Sequence, residues 1–355
     1  MALNDTSEES LYGDYEDYSD FDHHAGLRDA MRVLSMVVYS IAFLLGMIGN
    51  GLVIFITGFR MKRTVTTVWF LNLAIADFVF TFFLPLSVAY LALGFHWPFG
   101  KALCKLSSTV AFLNMFASVF LLTVISVDRC ISVVSPVWTQ NYRTTRLASL
   151  VALGIWVAAA ALSFPYLIFR DTRSSFMDEN ITQCYNNFAL PDNVQSEEAV
   201  ELGKHRHQAM VLTRFVVGFL LPFIVILFCY GIITAKLRRD HLAQSSKPFK
   251  VITAVITAFF ICWFPYHVFS FLELKYSGHA EMRLLLAVGI PLTSSLAFIN
   301  SCLNPILYVF MGHDFKEKLR RSLLSVFEDA FAEESGHSTA QTKTRSSIEL
   351  ESHDK

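Results

Sequence analysis

The chain has 355 residues, 54% of them hydrophobic and only 17% charged, and its 29 Lys and Arg nearly balance 30 Asp and Glu at a net charge of −1. Charge this sparse argues against an ordinary water-soluble domain and points to a chain that meets lipid. No nucleic-acid partner is expected of it.

Seven apolar stretches follow in order, at residues 31–59, 65–93, 105–134, 147–169, 208–237, 251–274 and 284–312. Each supplies about 20 or more mostly uncharged residues, enough to cross a hydrocarbon core of roughly 30 Å as a helix. Backbone groups find no water there, so helices that satisfy their own hydrogen bonds are required. The stretches are apolar around most of their circumference, unlike the striped helices of a soluble core. The expected fold is an all-α membrane protein, a seven-transmembrane helix bundle over residues 31–312.

Before the bundle, residues 1–30 form an acidic tail in which Asp14, Glu16, Asp17, Asp20 and Asp22 surround Tyr12, Tyr15 and Tyr18. It is poor in aliphatics and expected to be disordered when unbound. It lacks the basic flank, apolar core and small-residue site of a cleaved signal peptide. Lys and Arg concentrate in alternate connections: Arg60, Lys62 and Arg63; Arg143 and Arg146; Lys236, Arg238, Arg239, Lys247 and Lys250; and Lys316, Lys318, Arg320 and Arg321 after the last span. The positive-inside rule places these in the cytoplasm, with the N-terminus outside and the C-terminus inside. Glycosylation sequons at Asn4 and Asn180 then share the outer side. So do Cys104 and Cys184, whose natural reading on an oxidising face is a disulfide. Residues 313–326 read as a short amphipathic helix against lipid headgroups. Residues 327–355 read as a cytoplasmic tail with Ser335, Ser338, Thr339, Thr342, Thr344, Ser346 and Ser347 open to phosphorylation.

Two charges inside spans stand out. Asp77 sits in an otherwise uncharged helix, where burial costs a few kcal/mol unless the group pairs, hydrates or protonates. Asn114, Ser118, Asn300, Ser301 and Asn304 supply polar partners on other spans. Arg214 lies in the outer half of the fifth span. It either snorkels or pairs with an internal acid, or it anchors a ligand carboxylate through bidentate hydrogen bonds. No metal motif, phosphate loop or nucleophile elbow appears, so no enzyme is expected.

A set of motifs in fixed order carries a family resemblance: Gly49-Asn50, the run from Leu71-Asn72 to Asp77, Asp128-Arg129-Cys130, Trp156, Pro222 with Tyr230, Cys262-Trp263-Phe264-Pro265, and Asn304-Pro305-Ile306-Leu307-Tyr308. Together they resemble the rhodopsin-like G-protein-coupled receptors. His96-Trp97-Pro98-Phe99-Gly100, Phe169-Arg170-Asp171-Thr172 and Cys184-Tyr185-Asn186-Asn187-Phe188 narrow this to the chemoattractant branch, most like chemerin receptors and near formyl-peptide and anaphylatoxin receptors.

The resemblance implies that Asp77, Asn114, Ser118, Asn300 and Asn304 hold an allosteric sodium ion, with a helix-gluing hydrogen-bond network as the plainer reading; no other cofactor is implied. It implies that Arg129 is held by Asp128 at rest and meets Tyr230 and Tyr308 on activation. Trp263 with Phe259 would pass ligand contact to hinges at Pro265 and Pro305. Cys130 departs from the family, which more often has tyrosine there. Tyr90, Trp97, Asn114, Phe116, Phe264, His267, Phe271 and Glu273 are expected to wall a ligand site around Arg214. The implied function is a plasma-membrane receptor for an extracellular chemoattractant protein or peptide. Its expected partners are an inhibitory-class G protein, arrestin and membrane lipid. A receptor for an acidic lipid mediator and a non-signalling decoy remain as alternatives.

Overall fold

The structure is a computed structural model and describes residues 25–175, 179–190, 197–239, 247–276 and 280–311. Residues 1–24 of the acidic tail with Asn4, the segment 313–326 and the tail 327–355 lie outside the described residues. Residues 25–30, expected to belong to the disordered tail, instead open the first helix.

Helix α1 (Ala25–Phe55) closes in a π-turn at Ile56–Arg60. Helices α2 (Val65–Ala92) and α3 (Gly100–Val134) follow, then a short α4 (Pro136–Tyr142) and α5 (Thr145–Phe169). A hairpin of β1 (Arg170–Ser174) and β2 (Thr182–Asn186) comes next. The fifth span is one run of α6 (Glu197–Phe215), a π-turn at Val216–Leu220 and α7 (Leu221–Arg239). The bundle ends with α8 (Lys247–Tyr276) and α9 (Ala280–Met311). Among the described residues, seven helical runs are long and apolar enough to cross a bilayer.

Local chemistry starts these helices where they start. Thr64 caps α2 by accepting from the Thr67 N–H, while the Thr67 hydroxyl accepts from the Thr64 N–H, a reciprocal capping box. Thr144 caps α5 one way only, its hydroxyl accepting from the Leu147 N–H. Pro85, Pro165, Pro265, Pro291 and Pro305 lie inside helices, each removing one backbone donor and bending its helix.

Helix α3 is the axis of the bundle: 61% of its apolar window is buried, against 28–44% for the other six spans. Leu44, Ile48, Phe82, Leu150, Val157 and Phe228 lie more than half exposed on the outside, a belt that water would penalise and hydrocarbon accepts. With lipid outside, association rests on close packing rather than on hydrophobic burial. Gly49 illustrates this, since a Cβ there would lie 2.8 Å from Pro305 Cβ. Gly49→Val should therefore cost about 1–3 kcal/mol through overpacking, read as a fall of several degrees in the thermal midpoint of the detergent-solubilised protein. Gly154→Ala, which meets nothing within 4 Å, should leave the midpoint unchanged or higher.

The β-hairpin is an addition to the expected helices. It pairs antiparallel with Thr172 opposite Cys184, and the expected Cys104–Cys184 disulfide ties it to the start of α3. Asn180 is exposed in its turn. The loop before α3 docks on β2: Trp97 N–H donates to the Thr182 carbonyl at 2.7 Å, and Thr182 N–H donates to His96 Nδ1 at 3.0 Å. Gly100, at φ 78°, lets the chain turn from that loop into α3 at a backbone angle that side chains rarely accept. Lys101 clamps the other strand, with Nζ 2.9 Å from Asp171 Oδ2. Burial pushes the Asp171 carboxyl up, but hydrogen bonds from Lys101 and the Thr172 N–H, with the charges of Lys101 and Lys105, outweigh it and hold the group below its ordinary value. A carboxylate depressed on folding contributes stability above its unfolded pKa and loses it as pH falls through the folded one. Acid should therefore loosen the hairpin only below the ordinary carboxylate range. Lys101→Met should move that loss to higher pH, as read by proteolysis of the hairpin across a pH series.

Candidate functional site

Beneath the hairpin lies a cavity of about 390 Å³, lined by all the spans except the first together with β1 and β2. Three formal charges face it: Arg170, Arg214 and Glu273. Arg214 is only 7% exposed, and its guanidinium lies 5.2 Å from the Phe112 ring centre and 5.0 Å from that of Tyr266. The Tyr166 hydroxyl is its hydrogen-bonding neighbour, and its Nε has no partner. Glu273 lies within electrostatic range of both arginines. Two guanidiniums against one carboxylate leave the cavity one charge positive, in low-dielectric surroundings that strengthen any charge pairing. Aromatic faces hold Arg214 without neutralising it. The floor is Trp263, whose indole N–H is also unpartnered and whose ring lies tilted against Phe259 at 6.0 Å.

Below the floor the buried Asp77 accepts from Asn114 Nδ2 at 2.8 Å and from Asn304 Nδ2 at 2.7 Å. Ser301 Oγ donates to Asn114 Oδ1 at 3.2 Å, and Asn114 Nδ2 reaches Ser118 Oγ at 3.5 Å. Asn50 Nδ2 donates to the Ser301 carbonyl, which ties α1 to α9. The unpartnered side-chain atoms Asn50 Oδ1, Asn300 Oδ1 and Asn304 Oδ1 are all acceptors. A buried carboxylate with spare amide oxygens is the donor set of a hard cation, so the residues present fit the sodium ion that the motifs implied. Ser301, rather than Asn300, completes the bonded cluster.

At the far end of α3, the Arg143 guanidinium engages both oxygens of Asp128, with Nε to Oδ1 at 2.7 Å and Nη2 to Oδ2 at 2.8 Å. Arg129 Nη2 instead donates to Thr66 Oγ1 at 2.9 Å. Asp128 is thus taken by Arg143, which corrects the expectation that it holds Arg129. The reason is geometric: a bidentate fork from the turn between α4 and α5 meets the carboxylate squarely. A residue adjacent on the same helix points about 100° away. Tyr230 hydrogen-bonds Thr253, across from Arg129. Tyr308 lies on α9, with its side chain outside the described residues.

The model of the 7 transmembrane receptor (rhodopsin family) matches residues 49–308. The chain is a rhodopsin-family receptor. It is 47% identical over 344 residues to Chemerin-like receptor 1 of Bos taurus, covering 93% of each chain. Chemerin-like receptor 2 of Homo sapiens is 41% identical over 349 residues, 96% of each chain. The C3a anaphylatoxin chemotactic receptor of Danio rerio is 46% identical over 315 residues, 89% of this chain and 82% of that one. The receptor is therefore a multi-pass membrane protein of a signalling family rather than of an enzyme class.

Of the expected ligand wall, Arg214, Tyr90, Trp97 and Glu273 line the receptor's cavity. The others do not. Phe264 is 54% exposed on the outer surface of α8, and Phe271 packs at 5.2 Å on Phe215 between the fifth and sixth spans. His267 is buried against Phe215 and Phe219, with both ring nitrogens unpartnered. Phe116 is core, one turn below Phe112, and Asn114 belongs to the Asp77 cluster. A rotational register explains most of this. Trp263, Tyr266, Ser270 and Glu273 recur at helical spacing and share the cavity face; Phe264 and Phe271 are turned roughly 100° from it. Phe112, Tyr166, Arg170 and Tyr266 were not anticipated as lining residues, nor Thr66 and Arg143 at the other end. Counting back in threes and fours from Glu273 would have found Tyr266. Nothing in the linear pattern marks Tyr166 or Thr66.

Proposed function

We propose that this receptor sits in the plasma membrane with the hairpin outside, and recognises a chemoattractant protein or peptide through the free carboxylate of its C-terminus. What carries the reading is Arg214: a buried guanidinium, held by rings, with an unpartnered N–H in a cavity of net positive charge. The acidic tail draws a basic ligand body and raises its encounter rate, and the ligand terminus then enters the cavity. Contact with Trp263 is passed through Phe259 to the Arg129 end, where an inhibitory-class G protein engages and phosphorylation of the tail recruits arrestin. The names of the chemerin-like relatives favour a protein ligand. The apolar lining of the same cavity also suits an acidic lipid mediator, which is the second reading.

Cells expressing the receptor distinguish these. A chemerin-type C-terminal peptide as the free acid should activate the inhibitory-class G protein, its C-terminal amide should do so far less, and an acidic eicosanoid should not. Activation by the eicosanoid alone would select the lipid reading, and silence to all three would overturn both. The Asp128–Arg143 pair adds a signed prediction. Arg143→Ala frees Asp128 for Arg129 and should lower basal nucleotide exchange about threefold or more, whereas Asp128→Asn should raise it. Exchange that moves the same way in both would show that Asp128 does not restrain Arg129.

A further inference from the structure

Cys130 on α3 and Cys229 on α7 are both buried, and with Ile233 they form a small cluster of their own. Each thiol is an electrostatic neighbour of the other within that cluster, and neither takes part in the Cys104–Cys184 disulfide. Each is the chain neighbour of a switch residue: Cys130 follows Arg129 and Cys229 precedes Tyr230. The pairing depends on a departure, since the tyrosine usual at position 130 offers no sulfur.

We propose that Cys130 and Cys229 are an oxidation site, a dithiol that a peroxide converts to a disulfide linking the third and fifth spans beside Arg129. One thiol sulfur attacks a peroxide oxygen of ROOH and gives up its proton as it does so. The O–O bond breaks, and the alkoxide leaves as ROH by taking the thiol proton. The second thiol then attacks the sulfenic sulfur and displaces its hydroxyl as water. In sum, two thiols and ROOH give a disulfide, ROH and water. Hydrogen peroxide or a lipid hydroperoxide supplies the two oxidising equivalents; both are uncharged and enter hydrocarbon. The sulfurs must close to about 2.05 Å, and the helices must hold a Cα separation of about 4.4–6.8 Å. Once closed, the bond clamps the backbone on which Tyr230 is carried to the backbone that carries Arg129. Any rearrangement that brings those two side chains together by sliding α7 along α3 is then blocked until the bond is reduced.

The linkage can be tested independently of the proposed ligand. Full-length receptor in membranes is treated with hydrogen peroxide, denatured and labelled with maleimide, and its peptides are read by mass spectrometry. The described chain holds four free cysteines, so wild type should fall from four labels to two, with a Cys130–Cys229 linked peptide recovered. Cys130→Ser should keep its three labels before and after treatment, and Cys229→Ser, carried in parallel, should do the same. No linked peptide, or a link between Cys262 and Cys302 instead, overturns the proposal. For its consequence, which rests on the signalling function proposed above, basal nucleotide exchange by an inhibitory-class G protein should drop at least fivefold on peroxide treatment in wild type and stay constant in Cys130→Ser. A recovered link with unchanged exchange would retain the site and remove the clamp.

Discussion

Replacing Arg214 with glutamine should weaken binding of a peptide ending in a free carboxylate by 30-fold to several thousand-fold, about 2–5 kcal/mol, and barely touch its C-terminal amide. Glutamine keeps polarity and much of the length but loses the charge and the planar fork, which make guanidinium–carboxylate pairs short and bidentate. The surroundings magnify the loss. Arg214 is held between Phe112 and Tyr266 with Glu273 in range, so without it the cavity keeps one arginine and one glutamate, and its net positive charge is gone. Arg214→Lys should fall between, since it retains charge but neither the fork nor the stacking. Competition binding with the acid and amide forms on the three proteins checks this. If acid and amide lose affinity equally in Arg214→Gln, the residue supports the cavity rather than binding the terminus.

The second large effect concerns Asp77. The thermal midpoint of the solubilised receptor should rise with sodium chloride and not with choline chloride, and Asp77→Asn should remove the difference. Stabilisation follows mass action and reaches about 2.7 kcal/mol when sodium stands at 100 times its dissociation constant. A pure hydrogen-bond glue predicts otherwise. Asn at position 77 could still pair with Asn114 and Asn304, and neither protein would distinguish sodium from choline. Removing one donor separates the effects further. Asn114→Ala leaves a buried carboxylate short of a 2.8 Å hydrogen bond, a loss of about 1.5–3 kcal/mol for a charged acceptor, in any salt.

What the residues in order determined is the architecture and the presence of chemistry within it. Span positions follow from length and hydropathy because transfer to hydrocarbon is decided stretch by stretch, with no reference to neighbours. A charge such as Asp77 or Arg214 within a span announces function for the same reason: isolated, it would not be tolerated. Which way each helix is turned is a different kind of fact. It depends on the helices beside it, and a rotation of about 100° exchanges Trp263 for Phe264 at the cavity face. Packing around α3 decided that turn, and with it that His267 and Phe116 are core. Packing also brought Arg143 to Asp128 from the turn between α4 and α5, and set Cys130 beside Cys229. Such partners lie far apart in the chain, and only the close fit of one helix on the next makes them neighbours.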